Sequence, residues 1–492
     1  MSVVGQRFVL PVAFDVNAAG LPYAGGQLFF YASGTTTPQN TYADSGLTTP
    51  NTNPVIADAS GHFGNVFLGA LPYKVQLQDA NNVPIWTYDP VGGETALFLT
   101  PEMYGAAGDG STDDTTAFTA FFAALQTSGV AGALNARIYN ISNGFSITEP
   151  ICLRGCGNQL SVLNNTASGL SVPVLHLSGA SVNGSVLEDF AINSVAVTST
   201  TAMGVQVDGG QRFRLSGLRV SYTYGGISIP AAQTGAWIEN CFVNNTTEFG
   251  INIEAGNMMV KGCYVDNAGG NGYQFTSITA ASAGLIVESC VAFNSGLAGS
   301  GQGFAFVGNS TYPIIDLQVT GCTSSASPYG VGFSFDTHGL NITLDNLFVE
   351  LAGMTAAGAY VGQQNGIFVS VNNANLTMSA LTVSTCGLSG IDMECSNWTL
   401  NGATVTANNQ SGNANGAGLM LGFGGAINKF TASGVMTSPP ISPILVVDTQ
   451  KYGVNSPVSG STGLVVNSIL HGVTAAYLNA GSTVTFANNL SV

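Results

Sequence analysis

A glycine followed by an apolar-x-apolar triplet recurs through the middle of this 492-residue chain. The steps are Gly204-Val-Gln-Val, Gly226-Ile-Ser-Ile, Gly250-Ile-Asn-Ile, Gly272-Tyr-Gln-Phe, Gly303-Phe-Ala-Phe, Gly332-Phe-Ser-Phe, Gly366-Ile-Phe-Val, Gly390-Ile-Asp-Met and Gly418-Leu-Met-Leu. Successive glycines lie 22 to 34 residues apart. One short strand in each repeat of about 20–50 residues is the mark of a solenoid, a propeller or an array. Asn, Ser and Thr crowd the gaps between short runs of Val, Ile, Phe and Tyr, and 64 residues are Gly. Many short strands separated by turn residues predict an all-β protein. A single segment reads as a clear helix.

The repeats assign side chains to columns. In Trp237-Ile-Glu-Asn-Cys-Phe-Val-Asn-Asn-Thr-Thr-Glu-Phe-Gly-Ile-Asn-Ile-Glu one strand ends near the cysteine, an Asn-rich bend follows, and the glycine opens a second strand. Cys241, Cys263, Cys290 and Cys322 share one position, which Phe190, Leu218, Leu347, Leu381 and Ala403 fill in other repeats. Interchange with Phe, Leu and Ala makes these cysteines reduced core thiols that behave as small hydrophobes. Asn245, Asn267 and Asn294 share the bend, where stacked amides bond one another. Glu239, Lys261 and Glu288 share an outward column and read as an ion ladder, with a base at Lys261 as the alternative. Arg212, Arg214 and Arg219 form the other basic cluster near the repeats.

Charge excludes several functions. The net charge is −16 with ten Lys plus Arg, so the clustered cations that track phosphates are missing and no nucleic acid is expected. The acidic balance favours neutral or weakly acidic ligands. No apolar run approaches the roughly 20 residues that span a membrane, and Met1-Ser-Val-Val-Gly-Gln-Arg carries no secretory pattern, so the expectation is folding in a cytosol without membrane insertion. Cys152 and Cys156 are isolated and the four His are scattered, so neither a metal site nor a cofactor is expected.

Residues 1–95 read as a separate small β-sandwich or barrel, with Gly20-Leu-Pro-Tyr-Ala-Gly-Gly-Gln-Leu-Phe-Phe-Tyr, Thr48-Thr-Pro-Asn-Thr-Asn-Pro-Val, Asp58-Ala-Ser-Gly-His-Phe-Gly and period-2 runs at Tyr73-Lys-Val-Gln-Leu and Pro84-Ile-Trp-Thr-Tyr. This order of elements resembles the virion-anchoring, head-binding domain of phage tailspikes. Residues 96–134 hold a linker and a helix. Ser111 and Asp114 have capping-box spacing, Asp113 is a further candidate N-cap, and Phe118, Phe121, Phe122 and Leu125 form one apolar face. Such a helix covers an open sheet edge. Tyr104-Gly-Ala-x-Gly-Asp-Gly-x-x-Asp-Asp-Thr resembles the opening motif of the pectate-lyase-like superfamily, found in phage tailspikes and polysaccharide-degrading enzymes. The resemblance implies a right-handed parallel β-helix, here over 135–440, with Asp109, Asp113 and Asp114 structural. Pro439, Pro440 and Pro443 break the rhythm, and 441–492 are expected to form a C-terminal β cap that, by the same resemblance, trimerises.

A β-helix is packed inside, so chemistry belongs on its outer face. Alternation turns the second and fourth residues after each glycine outward. Asp392 and Glu394 are the one carboxylate pair two apart on such a strand. Two residues along a strand span roughly 6.5–7 Å, within the range for inverting glycoside hydrolysis. Phe368, one repeat earlier, and Trp398, just after, offer ring faces to a sugar. Asn252, Glu254 and Asp266, with Glu248 nearby, form a second group, and Asp208 and Asp336 share the Glu254 column. Asp336-Thr-His338-Gly resembles the His-Gly motif of polygalacturonases without the rest of that set. Taken with the resemblance, these residues imply a homotrimeric phage tailspike in the virion tail. It would bind a bacterial surface polysaccharide, hydrolyse it, and join other tail or baseplate proteins through residues 1–95. A non-enzymatic tail fibre for adhesion or assembly is the alternative. A polysaccharide lyase is the third reading, set against by the absence of an assembled cationic or calcium site.

Overall fold

The computed structural model describes residues 6–8, 22–69, 71–91, 98–179, 181–195, 199–230, 235–254, 256–277, 282–413, 416–421, 429–438, 452–456, 462–470, 474–479 and 483–491. Gly20, Pro439, Pro440 and Pro443 fall outside them. The chain divides into two units, Met1–Leu97 and Phe98–Val492.

The first unit is built on a four-stranded antiparallel sheet in the order Val55–Ile56, Gln27–Ala32, Tyr73–Gln78, Pro84–Val91. The period-2 run at Tyr73 buries Tyr73, Val75 and Leu77 against Leu28 and Phe30. Asp58 closes its turn as an Asx residue, accepting the N–H groups of Ser60 at 2.8 Å and His62 at 3.0 Å.

The second unit is a right-handed parallel β-helix. A representative rung carries three strands: Trp237–Glu239 in a first row, Phe242–Thr246 in a second and Ile251–Ile253 in a third. The third row is one sheet of thirteen strands among the described residues, and the first two rows join at a bend into one larger sheet. Between residues 374 and 438 the first two strands of a rung merge, as in Ala374–Ser384 and Ser396–Thr406, which turn the bend at the left-handed residues Ala380 and Gly402.

The recurrent glycines have a steric cause. At each one from Gly204 to Gly390, a Cβ would come within 3.0 Å of the carbonyl oxygen of the next glycine in the series. At Gly250 it would strike Gly272 O and both methyls of Val265. That carbonyl is already engaged, since Gly272 O accepts the N–H of Ile251 at 3.0 Å. The glycine is the point where the third row starts against the second row with no room for a side chain. None of these ladder glycines has a positive φ, so close approach rather than backbone freedom demands the residue.

The columns follow. Cys241, Cys263, Cys290 and Cys322 are at most 1% exposed, and all eight cysteines are free thiols. Phe190, Leu218, Leu347, Leu381 and Ala403 are buried in the same core. Asn245, Asn267 and Asn294 hold φ of 55°, 56° and 52°, and their amides bond in series at 3.1 and 2.5 Å. Asn is among the few residues that accept this backbone readily. On the outer first row, Arg154 meets Glu188 at 3.1 Å, Arg214 bridges Glu188 and Glu239 at 3.2 and 3.0 Å, and Lys261 meets Glu288 at 2.9 Å. Glu288 holds Lys261 charged above its ordinary range, which is the ion-ladder reading and not that of a base.

The ends differ. Phe118, Phe121, Phe122 and Leu125 of the helix Thr115–Ser128 plug the N-terminal opening, with Phe118 and Phe122 against Tyr139 and Phe145. The Ser111–Asp114 capping box does not form. Ser111 lies in the strand Asp109–Asp113, and the buried Asp114 carboxylate accepts the N–H groups of Ala107 at 2.7 Å and Gly108 at 3.0 Å. Ser111 and Thr112 N–H groups hold Asp109 far below the usual carboxylate range, and Asp113 takes Thr115 and Ser142, so all three acids are structural. The ladder already begins at Asp109, because Asp109–Asp113 pairs with Ile138–Ile141. At the other end, Tyr452–Ser456, Thr462–Val466, Ala475–Asn479 and Thr483–Ala487 continue the parallel rows. The expected cap is therefore made of further turns of the same helix.

Gly250→Ala should lose about 1–3 kcal/mol of stability through overpacking, read as a lower melting temperature by circular dichroism. Alanine at the outward, exposed Gln318 should leave it unchanged.

Candidate active site

Ile391 and Met393 enter the core, and the residues between and after them turn outward on the third row. Asp392 is flanked in register by Phe368 on one rung and Met420 on the other. It is only 4% exposed. Asn365 donates its Nδ2 to Asp392 Oδ2 at 3.0 Å, and its own Oδ1 accepts the Ser389 N–H at 3.1 Å, which fixes the amide's orientation. Asp392 Oδ1 is buried without a hydrogen-bond partner. Burial pushes the Asp392 carboxyl up to about 7, the charge of Glu394 adds to the rise, and the Asn365 amide opposes it. A carboxyl half-protonated at neutral pH has the property required of a general acid.

The neighbouring outward column carries Asp336, Ser370 and Glu394 on three successive rungs. Ser370 donates its hydroxyl to Asp336, Asn372 Nδ2 lies at 3.4 Å from the same oxygen, and His338 Nε2 lies 4.0 Å away. At about 4.8 Å per rung, Asp336 and Glu394 stand about 9–10 Å apart, and Glu394 lies about 6.5–7 Å along the strand from Asp392. The arrangement can place an acid and a base on either side of a glycosidic bond.

Phe368 stands beside Asp392 as the alternation requires. Trp398 does not. It is 2% exposed and packs in the core, in register with Leu376, so it offers no face to a sugar. Its position falls in the merged strand Ser396–Thr406, whose phase is set by the first row and not by the glycine at 390. Asn252 and Glu254 share a third-row strand and its outer side. Burial raises the Glu254 carboxyl, with the Asn252 amide opposing. Asp266 is separate, on the second row between Asn244 and Phe293 in register, and burial raises it too. Asn365 and Ser370, which hold the acids, were missed. The signal for Ser370 was its place in the Asp336–Glu394 column, whereas Asn365 lies just before a glycine and belongs to no outward column. His176 Nε2 also meets Asp208 Oδ2 at 2.5 Å, with Gln206 donating to both Asp208 oxygens. Among the described residues no group of three or more His, Cys, Asp or Glu is placed to hold a metal ion.

The fold and this outer face define a right-handed parallel β-helix protein. Residues 178–349 match the family model described as the right handed beta helix region. Among solved structures, the catalytic unit of the GH87 alpha-1,3-glucanase of Streptomyces thermodiastaticus is similar at a TM-score of 0.52 and 17% identity, over 96% of this chain and 89% of that one. Bacteriophage phi29 gene product 12 gives 0.55 and 13%, over 80% and 58%. The Dettilon tailspike protein gives 0.50 and 14%, over 81% and 70%. No curated protein matches the sequence.

The raised carboxyl has a consequence for folding. Between an unfolded pKa of about 3.9 and the folded value of about 7, the native state holds a proton that the unfolded chain has released. Stability therefore falls as pH rises through that window, by up to about 1.4 kcal/mol per unit. Asp392→Asn should remove this slope, raising the melting temperature at pH 8 and leaving it nearly unchanged at pH 4. Differential scanning calorimetry across pH measures it.

Proposed function

We propose that this chain is a phage tailspike-type protein that binds a bacterial surface polysaccharide and hydrolyses its glycosidic bonds. The observation that carries the reading is the rung Asp392–Glu394: a carboxyl raised to about 7 next to a second carboxylate on the same outward face. In this reading Asp392 gives its proton to the leaving oxygen. Glu394 takes a proton from the water that attacks the opposite face of the ring, so the anomeric configuration inverts. Phe368, half-buried one rung away, stacks on the sugar. The similar folds of a glucanase catalytic unit and of a tailspike support the class. Residues 1–95 would attach the protein to other tail or baseplate proteins, and the β-helix would assemble as a homotrimer in the virion tail.

One observation favours a second reading. Asp392 is 4% exposed between Phe368 and Met420, and a substrate must open that contact to receive its proton. If the contact stays closed, the protein is a non-enzymatic fibre for adhesion.

Incubation with host polysaccharide separates the two. Hydrolysis gives new reducing ends without the absorbance of unsaturated uronates. Asp392→Asn and Glu394→Gln should each lower the rate at least about 100-fold, with the fold intact by circular dichroism. The wild-type rate should fall above pH about 7 as Asp392 loses its proton. Retained cell binding with no cleavage would leave the adhesion reading; full activity in both variants would place the chemistry elsewhere.

A further inference from the structure

The two residue groups on the third row, Asn252–Glu254 and Asp392–Glu394, lie in the same two outward columns. Register pairs connect them without a break through Gln274, Ala305, Ser334 and Phe368. They stand five rung steps apart, about 24 Å at about 4.8 Å per step, long enough for an oligosaccharide and not a single ring.

This strip has two features that its own packing does not account for. The first is unsatisfied polarity. Asn252 is 5% exposed and Thr276 9% exposed, yet Asn252 Oδ1 and Thr276 Oγ1 have no hydrogen-bond partner. Both lie on the outer side of strands whose alternate residues fill the core, where a polar ligand that parts the covering side chains would supply the partner. The second is charge. Glu254, Asp336 and Glu394 line one column and Asp392 the other, and the positions that share these columns between Asn252 and Glu394 hold no lysine or arginine. Burial raises both Glu254 and Asp392, which is the state of acids desolvated without a cation. An anionic chain would add like-charge repulsion along the whole strip. A ligand ammonium would offset the desolvation. Between the acids, Val307, 37% exposed, and the half-buried Phe368 supply apolar contact for ring C–H faces.

We infer that the outer face of the third row, from Asn252 to Glu394, is one continuous track for a glycan chain whose sugars carry free amino groups. This rests on the polysaccharide reading above but not on cleavage.

The test uses the full chain and host-type polysaccharides before and after chemical de-N-acetylation, glucosamine and galactosamine hexamers with their N-acetylated forms, and a uronate hexamer. Binding and release of reducing ends are measured separately. Amine-bearing glycans should bind at least about tenfold tighter than their acetylated forms, a difference of about 1.4 kcal/mol, and the preference should shrink with salt. Glu254→Gln should remove most of that preference. The inference fails if the uronate binds as well as the amines, if acetylation makes no difference, or if Glu254→Gln leaves the preference whole. Amine-selective binding without any cleavage would overturn the hydrolase reading alone. Cleavage without amine selectivity would overturn this inference alone.

Discussion

Everything in the second unit depends on one contact: the glycine that opens each third-row strand lies against the carbonyl of the glycine one rung on. It sets how closely the third row approaches the second, where Val220, Val243, Val265 and Val349 supply the methyls that close the gap. Because the carbonyl in that contact also accepts the first ladder bond of the strand, the packing and the hydrogen bonding share one geometry. Insertions between rungs are absorbed in the connections, which is why the glycines are unevenly spaced while the strands stay in register.

The candidate site inherits this precision. Once the glycine fixes the phase, the residue two positions later faces outward whatever its chemistry. At most rungs that place is filled by a small or amide side chain such as Ser228, Asn252 or Ser334. At one rung it holds Asp392, and the surrounding surface does not adapt to a charge. Phe368 and Met420 flank it and a single amide bonds it, so the backbone ladder forces an acid into surroundings that disfavour its charge. A strained loop is not needed to perturb the group, because strand spacing alone does it.

The columns governed by the glycine were legible in the sequence. The Asp392–Glu394 pair can be placed by counting forward from it, and the bend asparagines by counting four residues on from Cys241, Cys263 and Cys290, since a parallel ladder repeats position by position. What lay in another row could not be placed that way. Trp398 comes just after the pair in sequence but lies in another row, where it faces the core. Asp266 was grouped with Asn252 by nearness in sequence, although a bend lies between them. The ion ladder was seen at Glu239, Lys261 and Glu288, but its continuation through Arg214 and Glu188 was hidden because Arg214 sits two positions out of that column and reaches across with a long side chain. The capping box failed for a related reason: Asp114 was needed more by the backbone of residues 107 and 108 than by the helix.

The thiols give the molecule an internal gauge. Cys241, Cys263, Cys290 and Cys322 occupy consecutive rungs, and Cys386 and Cys395 lie further along, all six buried, with the last two pushed up to about 12 by burial. Cys156 is exposed and Cys152 is half-buried, both near the N-terminal end. An alkylating reagent therefore sees one terminus of the intact solenoid, and each further thiol it reaches marks a rung that has parted. The order in which these sulfurs become reactive is a map of where the ladder opens first.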